Sequence, residues 1–566
     1  MKLSVCIDAT GLSKYAVAPL AEGPSAAERV GLFAASLPNV VGTTILADPE
    51  TPAAAVGGAG AAARSGGGAA APGGDPAGAA TRGGAAVITR DTWDTVALLT
   101  ALKEAAGGCD TLLLCRADAP FLDPDVTRRM LESHNTYVAE FTFADGYPGG
   151  MTPEILDPRI LDQLRTLAEK SPERVARDAL FAVVQKDINA FDVETELSPV
   201  DLRMLRATLA CDTARNYLLC SRVAEELETG GAAGGGSGGG GSGGGAPAGE
   251  GRGAAGEGAG TRAAAGRAAE GRAARIAGLL QSRAEILRTL PAYTSIQVVE
   301  GDVQTPIHSP YRLMRPDGLE VREEMPLERF EALIGELATF APDGMVHISL
   351  WGEIGLHTRL PELIRTVEDA PGLELLVETS GVGWRGEQLN GIAAMQLSST
   401  RFIIDLDTDD EGSYTRVRGR GFQEARQTAD TLIEAHGDRV YVQTIRMGET
   451  EQQVEAFYRA WKDRGVQVIV QKYDHYCGRL PDRRVTDISP LTRFPCRHTQ
   501  RDLNILIDGS VPMCREDLDR EHMMGNVFED GIESVWQNGS AAHLRQVRAE
   551  YPELCRRCDE YYTFNY

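Results

Sequence analysis

Residues 495–566 read PCRHTQRDLNILIDGSVPMCREDLDREHMMGNVFEDGIESVWQNG…YPELCRRCDEYYTFNY. Cys496 and Cys514 flank Asp508-Gly509, with twelve residues between the first cysteine and the glycine and four between the glycine and the second cysteine. The runs on either side of Asp508-Gly509, from Asn504 to Met513, predict a hairpin that brings both thiols to one end of a ribbon. Cys555 and Cys558 follow as a C-x2-C pair, whose tight loop turns two sulfurs toward one centre. Four thiolates converging in a chain without signs of export point to a metal rather than to disulfides. Sulfur-only ligation leaves two candidates, zinc and an iron–sulfur cluster.

The spacing C-x12-G-x4-C, then Gly525-Asn526-Val527, then Ser534-Val535-Trp536, then C-x2-C, resembles the SPASM domain, the auxiliary iron–sulfur module of many radical-SAM enzymes. The resemblance implies one 4Fe–4S cluster held by Cys496, Cys514, Cys555 and Cys558. A complete SPASM domain continues with further cysteines and holds two clusters; no cysteine follows Cys558 here, so one is expected. A four-cysteine zinc ribbon is the alternative.

The 566 residues suggest three or four domains. With 57 basic against 81 acidic residues the net charge is −24, which argues against nucleic acid or an anionic membrane as principal partner. MKLSVCIDATG is too short an apolar run for a signal peptide, and no membrane span is expected. Ten cysteines without a small-domain framework fit a reducing, cytoplasmic location. Thr51–Ala85 and Gly230–Arg275 are Ala/Gly-rich blocks that cannot bury enough apolar surface to order themselves, and they read as spacers. The expected organisation is a domain over 1–229 with an insertion at 51–85, a linker over 230–275, a barrel over 276–475 and a cysteine module over 476–566.

In the first region, strands at Leu3–Asp8, Val40–Leu46 and Thr111–Cys115 alternate with helices near Ala26–Leu37 and Trp93–Ala106, the pattern of a parallel α/β sheet. Ligands of such sheets sit at the carboxyl ends of strands, where Asp118 is placed to hold Mg2+ on nucleotide phosphates. Asp118, Pro120 and Asp123, with Tyr147–Met151, Glu154 and Asp201–Asp212, resemble the nucleotidyltransferases that activate sugars, in particular the cytidylyltransferase branch. A nucleotide-diphospho-sugar-transferase-like sheet and a sugar-nucleotide partner are what this implies. In that family the first loop is Gly-rich and carries Arg and Lys for the triphosphate; residues 9–20 here have one Gly and one Lys, so active nucleotidyl transfer in surface-glycan synthesis is kept as an alternative function.

The second region alternates six apolar strands, from Ser295–Glu300 to Val466–Gln471, with helical patterns, as in a (βα)6 partial barrel. His347–His357, with Gly352 and Glu353, resembles the second-strand motif of radical-SAM enzymes that meets the methionine part of SAM. Glu378-Thr379-Ser380-Gly381 and Phe402–Asp407 with Arg416–Gly419 resemble the third- and fourth-strand motifs. The C-x3-C-x2-C that would bind the SAM cluster is absent: its thiol positions fall on Asp302, Pro306 and Ser309, and no cysteine lies between Cys220 and Cys477. Pro offers no ligand, and Asp with Ser is a poor soft-metal pair. Gly352 and Glu353 therefore read as vestiges of a SAM site, SAM is not expected, and a peptide or protein partner is a candidate occupant of the barrel. The architecture as a whole is similar to a spirochaete-type family of SPASM proteins with this N-terminal extension. Cys477 reads as a linker cysteine, with a fifth thiol near the metal site as the alternative; His475 and His498 read as solvated or packing residues, and Tyr561–Tyr566 as an aromatic cover for the metal site, with a partner-docking tail as the alternative.

Overall fold

A computed structural model describes residues 1–51, 56, 85–229 and 271–563. Most of both spacers, and Phe564–Tyr566 of the aromatic tail, lie outside the described residues. The chain divides into two compact units, Met1–Leu287 and Arg288–Tyr566.

In the first unit, β1 (Leu3–Ala9), β2 (Val40–Ala47), β3 (Ala86–Thr89), β4 (Thr111–Arg116), β5 (Phe141–Asp145), β6 (Glu154–Leu156) and β7 (Val193–Leu197) form one sheet in the order β3-β2-β1-β4-β6-β5-β7. Every residue of β1 is buried, as expected for a strand covered on both faces. β1 runs parallel to β2 and β4. The sheet is mixed rather than wholly parallel, because β6 is antiparallel to both neighbours. Only a short loop joins β5 to β6, and a parallel return would need a longer crossover. Helix Arg272–Ser282 also belongs here: Ala273 N–H donates to Asp123 Oδ2 at 2.6 Å and Ile276 is buried. The expected start of the barrel at residue 276 therefore moves to Arg288.

In the second unit, β8 (Tyr293–Ile296), β9 (Met345–His347), β10 (Glu374–Thr379), β11 (Thr400–Asp405), β12 (Val440–Arg446) and β13 (Gln467–Lys472) pair in sequential order, all parallel. Helices Leu327–Phe340, Leu360–Glu368, Phe422–His436 and Glu451–Asp463 fall between them. Parallel strands in sequence order, each returned by a helix, are the winding of a partial βα barrel.

A seventh strand, β14 (Asp502–Ile505), lies parallel on the outer edge of β8. This corrects the expected hairpin. The turn forms, with Gly509 N–H donating to Leu506 O at 2.8 Å, but its arms join different ladders. β14 is buried throughout and extends the barrel sheet, whereas β15 (Ser510–Pro512) pairs with β16 (Met523–Asn526). An Asp-Gly turn says where the chain reverses and leaves open which edge each arm will find. Because β14 is part of the barrel sheet, the cysteine stretch shares the barrel's core: Phe402, Trp461, Leu503, Val511, Val535 and Trp536 belong to one apolar cluster. Trp536 is locked from two sides, its Nε1–H donating to Thr289 O at 2.8 Å and the Arg288 guanidinium stacking 3.6 Å from its ring. Among the described residues no helix is long and apolar enough to cross a membrane.

Candidate metal centre

Cys496 is the N-cap residue of the short helix Arg497–Arg501, and the Thr499 hydroxyl donates to its carbonyl oxygen at 3.0 Å. Cys514 follows β15, and Cys555 and Cys558 lie in and just after helix Glu553–Arg557. The four thiols meet at one small cavity, which Met513 and Leu554 also line. Gln546 Nε2 donates to Cys555 Sγ at 3.1 Å and Glu560 N–H to Cys558 Sγ at 3.3 Å. Donors to sulfur of this kind tune a metal centre's potential.

A fifth sulfur is present. Cys477, for which the sequence favours a linker role over a fifth thiol, lines the same cavity and is 5% exposed. Nothing in the local pattern YDHYCG announces it, and its place was set only when the segment after β13 folded back against the C-x2-C helix. Burial pushes the thiols of Cys496, Cys514 and Cys555 above their ordinary range, whereas a hydrogen bond from Cys477 holds Cys558 below it. Loading a metal here must release protons. His498 also lines the cavity, but both ring nitrogens are engaged, Nδ1 with Asp502 and Nε2 with Glu560 O at 3.0 Å. His475 Nδ1 accepts from Gly478 N–H and its Nε2 faces Asp559. Tyr561 stacks on Arg493, another cavity residue, with 4.2 Å between guanidinium and ring.

The spacing of the sulfurs bears on which metal fits. Among the described residues, the only His, Cys, Asp or Glu ligand atoms that lie in threes within 4.8 Å of one another are those of Asp474, Asp559 and Glu560. Those three carboxylates are paired with Lys472, Arg484 and Arg515. No three of the five sulfurs come that close.

A second cavity, of about 200 Å³, opens at the carboxyl ends of the barrel strands. Asp302, Pro306 and Ser309, the residues that the sequence comparison puts at the missing thiol positions, all line it. They offer no set of soft ligands, and a SAM-binding cluster does not fit them. Burial, and then Glu353, push Asp302 up to about 6, while burial pulls His308 down to about 4. Glu353 lines the cavity yet is consumed by its own fold. One oxygen accepts from Gly355 N–H (3.1 Å) and Thr379 Oγ1, the other from Ser380 N–H (2.9 Å) and Ser380 Oγ (2.6 Å). A Cβ on Gly352 would lie 2.3 Å from Val299 O, so only glycine lets the second-strand loop pass the first. Across the floor, Gln443 Nε2 bridges Glu378 (3.0 Å) and Asp405 (2.7 Å), and Arg418 donates to Asp407 at 2.7 Å. Arg515, next to Cys514, lines both cavities.

In the first unit Asp118 follows β4, where strand order reverses between β1 and β4, the usual ligand position of an open α/β sheet. The carboxylate faces a guanidinium: Arg177 donates to both Asp118 oxygens, at 3.3 and 2.6 Å, and to Asp212 at 2.9 Å. Asp123 is an N-cap, accepting from Asp125 and Val126 N–H at 2.8 and 2.9 Å. The loop after β1 spends donors internally, Thr10 N–H on Asp8 (3.0 Å) and Gly11 N–H on Asp48 (2.6 Å). Residues 207–212 do reach this site, through Leu209 N–H to Gly149 O (2.7 Å) and Cys211 N–H to Asp118 O (2.7 Å).

Residues 496–559 match SPASM, an iron-sulfur cluster-binding domain. An uncharacterized protein of Treponema pallidum (strain Nichols) is 33% identical over 401 residues, covering 68% of this chain and 98% of its own length. Among solved structures, Streptococcus suis SuiB bound to precursor peptide SuiA aligns at 14% identity over 47% of this chain and 68% of its own, with a TM-score of 0.37. A cytidylyltransferase from Leptospira borgpetersenii aligns at 15% identity over 40% of this chain and 87% of its own, with a TM-score of 0.30. Likenesses at these TM-scores establish neither a shared reaction nor a shared ligand. The match to the Treponema pallidum protein spans nearly all of that relative, and the chain belongs to its family, with a SPASM match at residues 496–559 joined to an α/β partial barrel.

Proposed function

We propose that the second unit binds one 4Fe–4S cluster on Cys496, Cys514, Cys555 and Cys558, as a redox or structural centre, and that its barrel does not generate radicals from SAM. The observation that carries this is the convergence of buried thiols on one cavity within the SPASM match. Zinc is the poorer fit. Four sulfurs each about 2.3 Å from one zinc would lie within about 3.8 Å of one another, closer than any three of these sulfurs stand. A cluster places several irons and sulfides between its cysteines and suits the wider set. When bound it would supply a one-electron couple, and with four protein ligands it would keep no iron open for a substrate. This chain's residues would enclose it between Met513 and Leu554 and the polar side chains of Arg493, His498, Arg515 and Glu516, and aim N–H donors at the sulfurs of Cys555 and Cys558. Such a centre suits a reducing compartment such as the cytoplasm. Nucleotidyl transfer by the first unit is the weaker reading, because Asp118 is spent on Arg177 and the loop donors on Asp8 and Asp48.

The test is iron, acid-labile sulfide and zinc per chain after anaerobic reconstitution, beside a variant with all four cysteines changed to alanine. About four irons and four sulfides, lost in the variant, are expected. About one zinc without sulfide would replace the cluster by a ribbon. About eight irons would mean that the barrel cavity binds a second cluster despite Asp302, Pro306 and Ser309.

A further inference from the structure

Beside the barrel cavity, and sharing Tyr311 with it, the second unit holds another cavity of about 210 Å³. Three guanidiniums line it, those of Arg315, Arg322 and Arg520. Val299–Glu300 pairs antiparallel with Glu323–Glu324, and Arg322 N–H donates to Glu300 O at 2.9 Å, which closes the loop that carries Tyr311 and Arg315. Arg322 and Arg520 have exposed acidic partners, Asp317 at 3.4 Å and Asp508 at 3.0 Å. Arg315 differs. Its side chain is 11% exposed and its Nη1 pairs with Glu300, but Nε and Nη2 are sealed from solvent without a hydrogen-bond partner. These two nitrogens share one edge of the guanidinium, the fork that grips a carboxylate or phosphate through two parallel bonds. The Tyr311 hydroxyl is another buried group without a partner, on a residue 4% exposed. Gln297 cannot serve either, because its Nε2 donates to Trp351 O at 2.9 Å and its Oε1 accepts from Ile507 N–H at 3.3 Å. Donors left buried and unbonded are costly, and an acceptor entering the cavity would remove that cost.

We infer that this cavity is an oxyanion site, in which the carboxylate or phosphate of a small molecule sits in the Arg315 fork, accepts from the Tyr311 hydroxyl and faces Arg322 and Arg520. The space is smaller than pockets that take drug-sized ligands, so the occupant is a small acid or phosphate. Arg315 belongs to the loop after the first barrel strand, whereas Leu518 and Arg520, on the same cavity, follow Cys514 in the chain. A bound anion would therefore bridge the barrel and the cysteine stretch. The site does not depend on the cluster reading above.

Trp351 packs with Tyr311 in one apolar cluster, so tryptophan fluorescence reports on the site. The full-length chain is titrated separately with inorganic phosphate and with succinate, at ionic strength held constant with sodium chloride, and with chloride alone as the control. A saturable change with at least one of the two anions is expected, and the one that saturates at lower concentration identifies the oxyanion. Arg315→Lys keeps the charge and removes the fork, and should weaken binding at least about tenfold. Tyr311→Phe keeps the ring and removes the hydroxyl; it should weaken binding several-fold and raise the urea midpoint of the anion-free protein, because an unbonded buried group is gone. If neither anion gives a saturable response beyond that of chloride, Glu300 or Asp317 fills the fork in solution and the inference is overturned. Binding by Arg315→Lys as tight as by the wild type would overturn it too. Should Arg315→Lys lose its native far-UV circular dichroism, Tyr311→Phe decides: weaker binding with a raised midpoint supports the site, and unchanged binding refutes it.

Discussion

Glu353 offers the sharpest test of how the barrel is built. A carboxylate lining a cavity invites a ligand-binding role, but here four donors on two segments already fill both oxygens. Glu353→Gln keeps the shape and removes one acceptor. In either amide orientation one backbone N–H, of Gly355 or of Ser380, faces an NH2 group. The hydroxyls cannot fully compensate. Thr379 Oγ1 already accepts from Gly381 N–H and Trp384 Nε1–H, both at 3.0 Å, and Ser380 Oγ from Val382 N–H at 3.2 Å. Two charge-assisted bonds are lost at about 1.5–3 kcal/mol each, partly recovered by relaxation, for a net cost of about 3–4 kcal/mol. Glu353 is 5% exposed, so solvent cannot substitute. Four of the five tryptophans, Trp351, Trp384, Trp461 and Trp536, lie in this unit, so the urea transition by tryptophan fluorescence reports mainly on it. The midpoint should fall by about 1 M for a slope of about 3 kcal/mol/M. A destabilisation under about 1 kcal/mol would refute the clamp and return Glu353 to the ligand-binding residues.

Two further perturbations separate structural from catalytic readings. Arg177→Met strands Asp118, whose side chain is 9% exposed, and should cost about 2–3 kcal/mol of first-unit stability in a thermal melt; a change within about 0.5 kcal/mol would show that the pair is not needed to neutralise the site. Glu368 is opposed by burial, but hydrogen bonds from Thr400, Ser398 and Ser399 outweigh that and hold it at about 2, against an ordinary 4.5. Its folded pKa is depressed, so its stabilisation is complete above about pH 4.5 and fades as pH falls toward 2. Because the carboxylate is only partly buried, Glu368→Gln should cost only about 1 kcal/mol at pH 7 and flatten acid unfolding between those values, an effect absent if parallel acid titrations of the two proteins superimpose.

The local signals in this chain were strong where one segment decides its own state. Apolar runs bounded by turn residues marked all six barrel strands, and period-3.6 stripes marked the helices between them, because burial on one or both faces is written into each segment's own pattern. Spacing also sufficed to bring the four cysteines of the SPASM stretch to one cavity, since motifs of fixed length carry their geometry with them. What the tertiary structure decided was every choice of partner. Asp502–Ile505 has the same apolar pattern whether it folds onto Ser510–Pro512 or adds to β8, and only the free edge of β8 settles it. Cys477 came to line the cysteine cavity, and Arg177 to face Asp118, by long-range packing that leaves no trace in residues nearby. Chain patterning determines which surfaces must be buried; the identity of the group across each contact is a property of the assembled core.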